Sequence, residues 1–206
     1  MYALITDGSI TKTISGNRGL TIGDILYPRD IFSKWSASER EAIGIYEVVF
    51  DNTNKKDEAY YTNTNQSFAF ADGVVTASYG SATAKAHADT LWTAQDEIDG
   101  KGTEGEVATR GLKYNLIQTI KAQAANILQG TDWYIVRKAD AGTAIPSAIT
   151  NHRAAVRTKC AEMETAITNA SNTPALETLY TYVNTADEGD PVVLERPLGQ
   201  LPTLES

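Results

Sequence analysis

Residues 104–169 contain the two longest helical patterns of the chain and read EGEVATRGLKYNLIQTIKAQAANILQGTDWYIVRKADAGTAIPSAITNHRAAVRTKCAEMETAITN. A capping box formed by Thr103 and Glu106 predicts a first helix over 104–129. Its apolar residues recur on one helical face, at Leu112, Leu116, Ile117, Ile120, Ala124, Ile127 and Leu128. Gly130 readily adopts the left-handed conformation and predicts the end of this helix.

A second helix is predicted over 146–169, because the fixed φ of Pro146 suits a first helical turn. Its apolar residues fall on one side, at Ile149, Val156, Cys160, Met163 and Ile167. The two faces predict an antiparallel helix pair. We expect the apolar run Trp133–Val136 to form a clasp where the chain reverses, with Trp133 buried between the helices and a turn at Asp140–Gly142. Asp132 is expected to cap locally, with Arg153 or Arg157 nearby.

Positive charge is concentrated in the same region. Residues 110–159 carry eight Lys or Arg against two Asp, a formal charge of +6; since the whole chain carries −8, the remainder carries −14. Ordinary solvated helix faces would explain this surplus. The alternative is a docking surface for an acidic partner or for the acidic remainder of the chain. The candidate partner-binding residues are Trp133, Tyr134, Arg137, Lys138, Arg153 and Arg157.

The first 80 residues predict an antiparallel β-domain. Short alternating runs are separated by turn signals, and Asp7-Gly8 and Asp72-Gly73 are strong hairpin turns. A capping box of Ser36 and Glu39 predicts a short helix that stops before Gly44. The strands carry many aromatic residues, for which core packing and a sugar-binding platform are both considered: Tyr46, Tyr60, Tyr61, Phe68, Phe70 and Tyr79.

The predicted fold class is α+β, with three segments. A mainly antiparallel β-domain covers 1–80, and a helical domain with the antiparallel pair plus a short helix covers 81–184. Its first helix is expected from Ser81 on, because Ala84, Ala88, Leu91, Trp92 and Ile98 fit one helical face. The segment 185–206 is an acidic, Pro-containing tail whose composition is typical of disorder, unless a partner or its own domain covers it.

Composition excludes several function classes. A pI near 4.8 argues against a nucleic-acid or membrane-surface protein, and no run of 18 apolar residues predicts a membrane span. His87 and His152 have no ligand partner at helical spacing, and Cys160 is expected in the core. The carboxylates Asp96, Glu97, Asp99, Asp187, Glu188 and Asp190 lack EF-hand spacing and are typical of solvated charge. We therefore expect neither an enzyme nor a cofactor.

The run Leu112 to Leu128, followed by Thr131-Asp132-Trp133 and by Arg153 and Arg157 on the next helix, resembles the C-terminal region of tailed-phage tail fibre assembly proteins. The N-terminal half is similar to the same group in Tyr27-Pro28, in the segment 35–41 and in Ala42-Ile43-Gly44-Ile45-Tyr46. The similarity covers most of residues 20–160. Trp133 is followed here by Tyr-Ile-Val-Arg-Lys and a longer connector than is usual in that group. Residues 160–206 extend beyond many of its members.

This resemblance implies a chaperone-like or accessory protein that binds a tail fibre or its baseplate attachment. It implies action in the host cytoplasm during assembly, and the C-terminal extension fits a relative that stays in the virion tail. A homo-oligomer is a further partner to consider. The alternatives are a glycan- or receptor-binding tail module, which needs several exposed aromatic side chains, and a polysaccharide hydrolase, which needs two carboxylates about 5 to 10 Å apart in a cleft.

Overall fold

The computed structural model describes residues 1–16 and 18–204. The chain divides into two compact units, Met1–Thr83 and Ala84–Ser206. The first is rich in β-strands and the second is mainly helical, so the predicted α+β class is confirmed.

The first unit contains a five-stranded sheet in the order β2-β1-β5-β8-β7. Its elements are β1 (Tyr2–Thr6), β2 (Ser9–Ile14), β3 (Leu20–Ile22), β4 (Ile25–Tyr27), α1 (Ile31–Lys34), α2 (Ala37–Glu41), β5 (Ile45–Asp51), β6 (Tyr61–Thr62), β7 (Ser67–Ala71) and β8 (Val74–Ser78). The short strand β9 (Thr83–Ala84) lies at the boundary between the units.

Both predicted hairpin turns are confirmed. Asp7 and Gly8 have φ of 52° and 75°, and Asp72 and Gly73 have φ of 51° and 76°, which are the positive values of a type I′ turn. Asp and Gly tolerate this conformation better than other residues. The turns therefore fix the β1–β2 and β7–β8 pairings locally.

The sheet is mainly antiparallel, as predicted, but one pairing departs from this pattern. Strands β5 and β8 run parallel, with Val48 opposite Val75. A short turn after β5 would have placed the next long strand beside it. The long connection 52–66 instead lets β7 take the outer edge of the sheet, so that β8 lies against β5.

The sheet of the first unit has apolar clusters on both faces. Ala3, Val48, Val75 and Ala77 form one cluster with Phe68 and Phe70 packed against it. The other cluster consists of Ile14, Leu20, Ile31, Phe32 and Ile45. The predicted capping box at the start of α2 is also confirmed, since Glu39 N–H donates to the Ser36 hydroxyl and the Glu39 carboxylate accepts from Ser36 N–H.

The second unit begins with strands and not with the helix predicted from Ser81. Its elements are β10 (Thr90–Leu91), α3 (Ala94–Ile98), β11 (Val107–Thr109), α4 (Leu112–Gln129), α5 (Asp132–Ala141), α6 (Ser147–Asn169), α7 (Thr173–Tyr180), β12 (Val183–Asn184) and β13 (Leu194–Glu195). Leu91 and Ile98, expected on a buried helical face, are 50% and 79% exposed.

The same strands explain why α4 starts eight residues later than predicted. Val107–Thr109 pairs with β10, and the Trp92 N–H donates to the Glu106 carbonyl at 2.9 Å. The Asp89 carboxylate accepts from Gly111 N–H at 2.8 Å, at the N-terminus of α4. These bonds join residues that are far apart in sequence, which helical periodicity does not detect.

The predicted antiparallel helix pair is confirmed in α4 and α6. Lys113 Nζ donates to the Thr168 carbonyl at 2.8 Å near one end of the pair, and Arg153 donates to the Leu128 carbonyl at 2.7 Å near the other. The predicted face of α6 is buried, at Ile149, Val156, Cys160, Met163 and Ile167, together with His152. Burial raises the pKa of the Cys160 thiol, as expected for a core cysteine.

The acidic tail packs on its own unit, although its composition is typical of disorder. Leu198 is 2% exposed, and its N–H donates to the Leu179 carbonyl of α7 at 3.0 Å. Val183 pairs with Glu195, so that β12 and β13 form a short ribbon. The predicted helix at Thr173-Pro174 is α7, with Leu176 fully buried.

Candidate functional site

The segment predicted to form an apolar clasp is the helix α5. Gly130 does not adopt the expected left-handed conformation: its φ is −57°, and the Thr131 N–H continues the turn by donating to the Leu128 carbonyl at 3.0 Å. At the other end, Asp140 and Ala141 belong to α5, and the left-handed Gly142 (φ 68°) ends it. The expected turn at Asp140–Gly142 is therefore reduced to a helix cap.

The prediction that Trp133 is buried between the helices is wrong. Helix α5 buries none of its residues, and Trp133 is 51% and Val136 65% exposed. The reason is geometric, because successive helical residues point about 100° apart and four consecutive apolar side chains face nearly every direction. Such a run cannot share the single face that packing on α4 and α6 would require.

Trp133, Tyr134 and Arg137 form a cluster on α5. The Trp133 and Tyr134 ring centroids lie 3.9 Å apart, and the Arg137 guanidinium carbon lies 4.6 Å and 5.3 Å from them. Trp133 and Arg137 are four residues apart, the spacing at which helical side chains are neighbours. Their cation–π contact holds the indole in a defined orientation while half of its surface faces solvent.

Arg153 lies inside the helical unit and not on its surface. Only 13% of its side chain is exposed, and Nη1 lies 2.7 Å from both the Leu128 carbonyl and the Thr131 hydroxyl, to which it donates. The same atom pairs with the Asp132 carboxylate at 2.8 Å. The predicted proximity of Arg153 to Asp132 is confirmed. Arg153 links the C-terminus of α4 to the N-terminus of α5.

A depression of about 190 Å³ lies beside α5. Ile135 and Ile145 form its apolar part, and Thr150, Arg153 and Arg157 complete it. Arg157 is exposed, and within the described part of the chain no carboxylate pairs with it. Ile145 lines this depression, although its position directly before Pro146 indicated only the start of a helix.

Most other cations of the basic stretch are already neutralised. Arg110 pairs with Asp89 at 2.6 Å, Lys121 with Glu164 at 3.0 Å and Lys159 with Glu162 at 3.5 Å. Among residues 1–16 and 18–204, by contrast, Arg137, Lys138 and Arg157 have no ion pair within 4 Å, although an exposed Asp140 shares α5 with the first two. The positive charge left free for a partner is therefore concentrated around α5.

We define the α5 surface as the exposed residues Trp133, Ile135, Val136 and Arg157 together with the half-buried Arg137. It combines apolar side chains with two cations. Of the other candidate residues, Tyr134 is half-buried beneath Arg137, and Arg153 supports the surface from within. Lys138 points to another side of α5, between Tyr134 and Ile135 in helical projection.

The aromatic strands of the first unit do not form an exposed platform. Tyr60 and Tyr61 are 8% and 9% exposed, and Phe68 and Phe70 are half-buried against the sheet cluster. The Tyr46 and Phe70 rings pack edge to face with centroids 4.9 Å apart. A glycan-binding module required several of these rings to be exposed together, and they are not.

The carboxylates at Asp96 and Asp99 are held by neighbours within the same short segment. Hydrogen bonds from the Thr93 hydroxyl and N–H, followed by the Lys101 ammonium, lower the pKa of Asp96 to about 2. A hydrogen bond from Gln95 and the ammonium of Lys101 lower the pKa of Asp99. Both carboxylates thus stabilise the ends of α3.

The α5 surface is the site that combines the exposed apolar side chains with the unpaired cations of the second unit. No helix among the described residues has both the length and the apolar character needed to cross a membrane. No protein-family model matches this chain, and neither a curated protein nor a solved structure is significantly similar to it.

Proposed function

We propose that this chain is a non-enzymatic phage tail accessory protein that binds a tail fibre, or the baseplate protein to which a fibre attaches, through the α5 surface. The observation that carries the proposal is that α5 buries no side chain and exposes Trp133 and Val136. A helix without a buried face gains little from packing on its own chain. Its apolar residues are available to a second protein.

The composition of the α5 surface favours a protein partner. Tryptophan and arginine are enriched among the residues that dominate binding energy at protein interfaces. The contact with Arg137 fixes the Trp133 indole before binding, which reduces the entropy lost on association. The unpaired Arg137 and Arg157 favour an acidic partner surface by charge complementarity.

The assignment to a phage tail comes from the resemblance of the Thr131-Asp132-Trp133 motif and of the two following arginines. Within the helical unit, Arg153 binds both Thr131 and Asp132 at the N-terminus of α5. Trp133 and Arg157, the remaining members of the pattern, are exposed. This arrangement supports a motif in which Thr131, Asp132 and Arg153 hold α5 in place. Trp133 and Arg157 would then contact a partner. The protein would act in the host cytoplasm during assembly and remain in the virion tail.

Co-expression with the fibre and baseplate proteins of the same phage tests the proposal. We expect a complex that co-purifies with the wild-type chain and raises the solubility of the fibre. Trp133→Ala and Arg157→Ala should each weaken it by at least about tenfold, as expected for interface anchors. The matched controls, Tyr114→Ala and Lys12→Ala, change an exposed aromatic residue and an exposed cation elsewhere and should bind normally. Absence of any complex, or equal binding by all four variants, would contradict the proposal.

A further inference from the structure

A second apolar segment is exposed in the helical unit, at residues 183–195, which we call the tail ribbon. Val183, Val192 and Leu194 are 47%, 69% and 59% exposed. The ribbon is held by two-residue strands and by a hydrogen bond from the Thr185 N–H to the Val193 carbonyl at 2.8 Å. Two-stranded ribbons are only marginally stable unless another element covers them. A partner that covers the ribbon would therefore stabilise it.

The tail ribbon is strongly acidic. Residues 183–195 contain no Lys or Arg and carry a formal charge of −4 from four exposed carboxylates, at Asp187, Glu188, Asp190 and Glu195. In the described part of the chain, none of the four lies within 4 Å of a basic group. The ribbon thus presents apolar side chains next to unpaired negative charge.

The α5 surface has the complementary composition. It curves around α5: Trp133 lies against the Arg137 guanidinium, Ile135 and Arg157 line the same depression, and Val136 lies between Ile135 and Trp133 in helical projection. Apolar side chains are thus available on both surfaces, and each carries the charge that the other lacks. Joining them would remove apolar area from water and pair charges that the folded chain leaves unpaired.

We propose that two copies of this chain form a reciprocal dimer in which the tail ribbon of each copy lies on the α5 surface of the other. A two-fold arrangement satisfies both ribbons and both α5 surfaces and closes at two copies. Within one chain, Leu198 holds the tail against α7, and the described residues include no ion pair between the ribbon and α5. The second copy supplies the contacts that the single chain lacks.

The dimer stands whether or not the outside partner is a tail fibre, but it covers the same α5 surface. A protein that binds this surface must displace the tail ribbon of the second copy. Partner binding and self-association are therefore mutually exclusive, and the partner should convert dimers into monomers that each carry one partner chain.

Sedimentation velocity of the full chain tests the dimer. We expect a concentration-dependent monomer–dimer equilibrium at low salt that weakens as salt is raised. Arg157→Glu alone, and the double change Asp187→Lys with Glu188→Lys alone, should each weaken the dimer by about tenfold or more. Combining all three changes should restore it, because the charges are then exchanged between the surfaces. The matched control is Lys12→Glu, which reverses the charge of an exposed side chain in the first unit and should leave the monomer–dimer equilibrium unchanged.

A chain that stays monomeric up to about 1 mM, well above typical dimer affinities, would overturn the proposal. A dimer insensitive to both charge reversals, a combined variant without recovery, or open-ended filaments would overturn it too. Circular dichroism of every variant verifies folding. A monomer that still co-purifies with the fibre would refute only the dimer, whereas a salt-sensitive dimer without fibre binding would refute only the proposed function.

Discussion

Helices α5 and α6 follow each other in the chain and carry similar apolar residues, yet α6 buries six side chains and α5 buries none. The difference lies in the spacing. The apolar residues of α6 recur every three, four or seven positions, so they share one face, whereas those of α5 are consecutive. The number of apolar residues does not determine whether a helix joins a core. Their period does, and an apolar helix of the wrong period remains available for binding.

The largest difference in stability is expected between alanine substitutions of two isoleucines, one from each helix. Ile167→Ala in α6 should lower the free energy of unfolding by about 2–5 kcal/mol, since Ile167 is fully buried and its truncation leaves a cavity. Ile135→Ala in α5 should cost less than about 1 kcal/mol, because Ile135 is 43% exposed. Chemical denaturation of both variants measures the difference. Equal losses would show that α5 belongs to the core.

The next largest difference in stability is expected between alanine substitutions of two arginines of α6. Arg153→Ala should cost about 1–3 kcal/mol, because it removes the donor shared by the Leu128 carbonyl and the Thr131 hydroxyl and the partner of Asp132. Arg157→Ala, four residues further on and exposed, should stay within about 0.5 kcal/mol. Thermal melting of both variants checks the prediction. A harmless Arg153→Ala would mean that the link between α4 and α5 is dispensable.

A smaller, local effect on stability is expected in α3. Like α5, this helix buries no residue, and it depends on its caps. The pKa of Asp96 is lowered from 3.8 to about 2, so its carboxylate stabilises α3 above about pH 4, and this contribution is lost as the pH falls from about 4 to about 2. NMR titration of the Asp96 carboxyl group measures this pKa. Thr93→Ala removes the hydroxyl and should move the pKa back towards 3.8; a wild-type value already there would refute the cap.

The smallest effect on stability should come from Trp133→Ala. Since half of the indole is exposed, the loss should remain within about 1 kcal/mol, far below the 3–5 kcal/mol typical of a buried tryptophan. Fibre binding and self-association should both weaken, because both proposals use this side chain. Urea denaturation followed by far-ultraviolet circular dichroism gives the stability. Cooperative loss of all helical signal on this substitution would place Trp133 in the core after all.

The features that the sequence predicted correctly are encoded locally. Turns at Asp7-Gly8 and Asp72-Gly73 need only two residues with tolerance for positive φ, and the α6 face needs only its own period. The features it missed depend on distant partners. Asp89 binds Gly111 across 22 positions, and Gly102 packs so closely under the Trp92 ring that a Cβ would lie 2.3 Å from its Nε1. Neither contact has a periodic signature.

The candidate site shows the same division between local and distant information. The sequence identified the residues around α5 from their charge and from the Thr131-Asp132-Trp133 motif. It did not separate the exposed Trp133 and Arg157 from the internal Arg153. That distinction depends on the hydrogen bond from Arg153 to the Leu128 carbonyl, 25 positions away. Arg157, one turn later in α6, is exposed instead.

The parallel pairing of β5 with β8 has a consequence for the order in which the first unit folds. Hairpins β1–β2 and β7–β8 close over turns of two residues and can form early, within microseconds. Strand β5 pairs with residues about 27 and about 43 positions away, as between Val48 and Val75 and between Tyr46 and Ala3. Closing such long loops is entropically costly and slows folding. Until β5 takes its place between the two hairpins, their inner edges have no strand to pair with, so the nascent chain is most prone to aggregate at this stage.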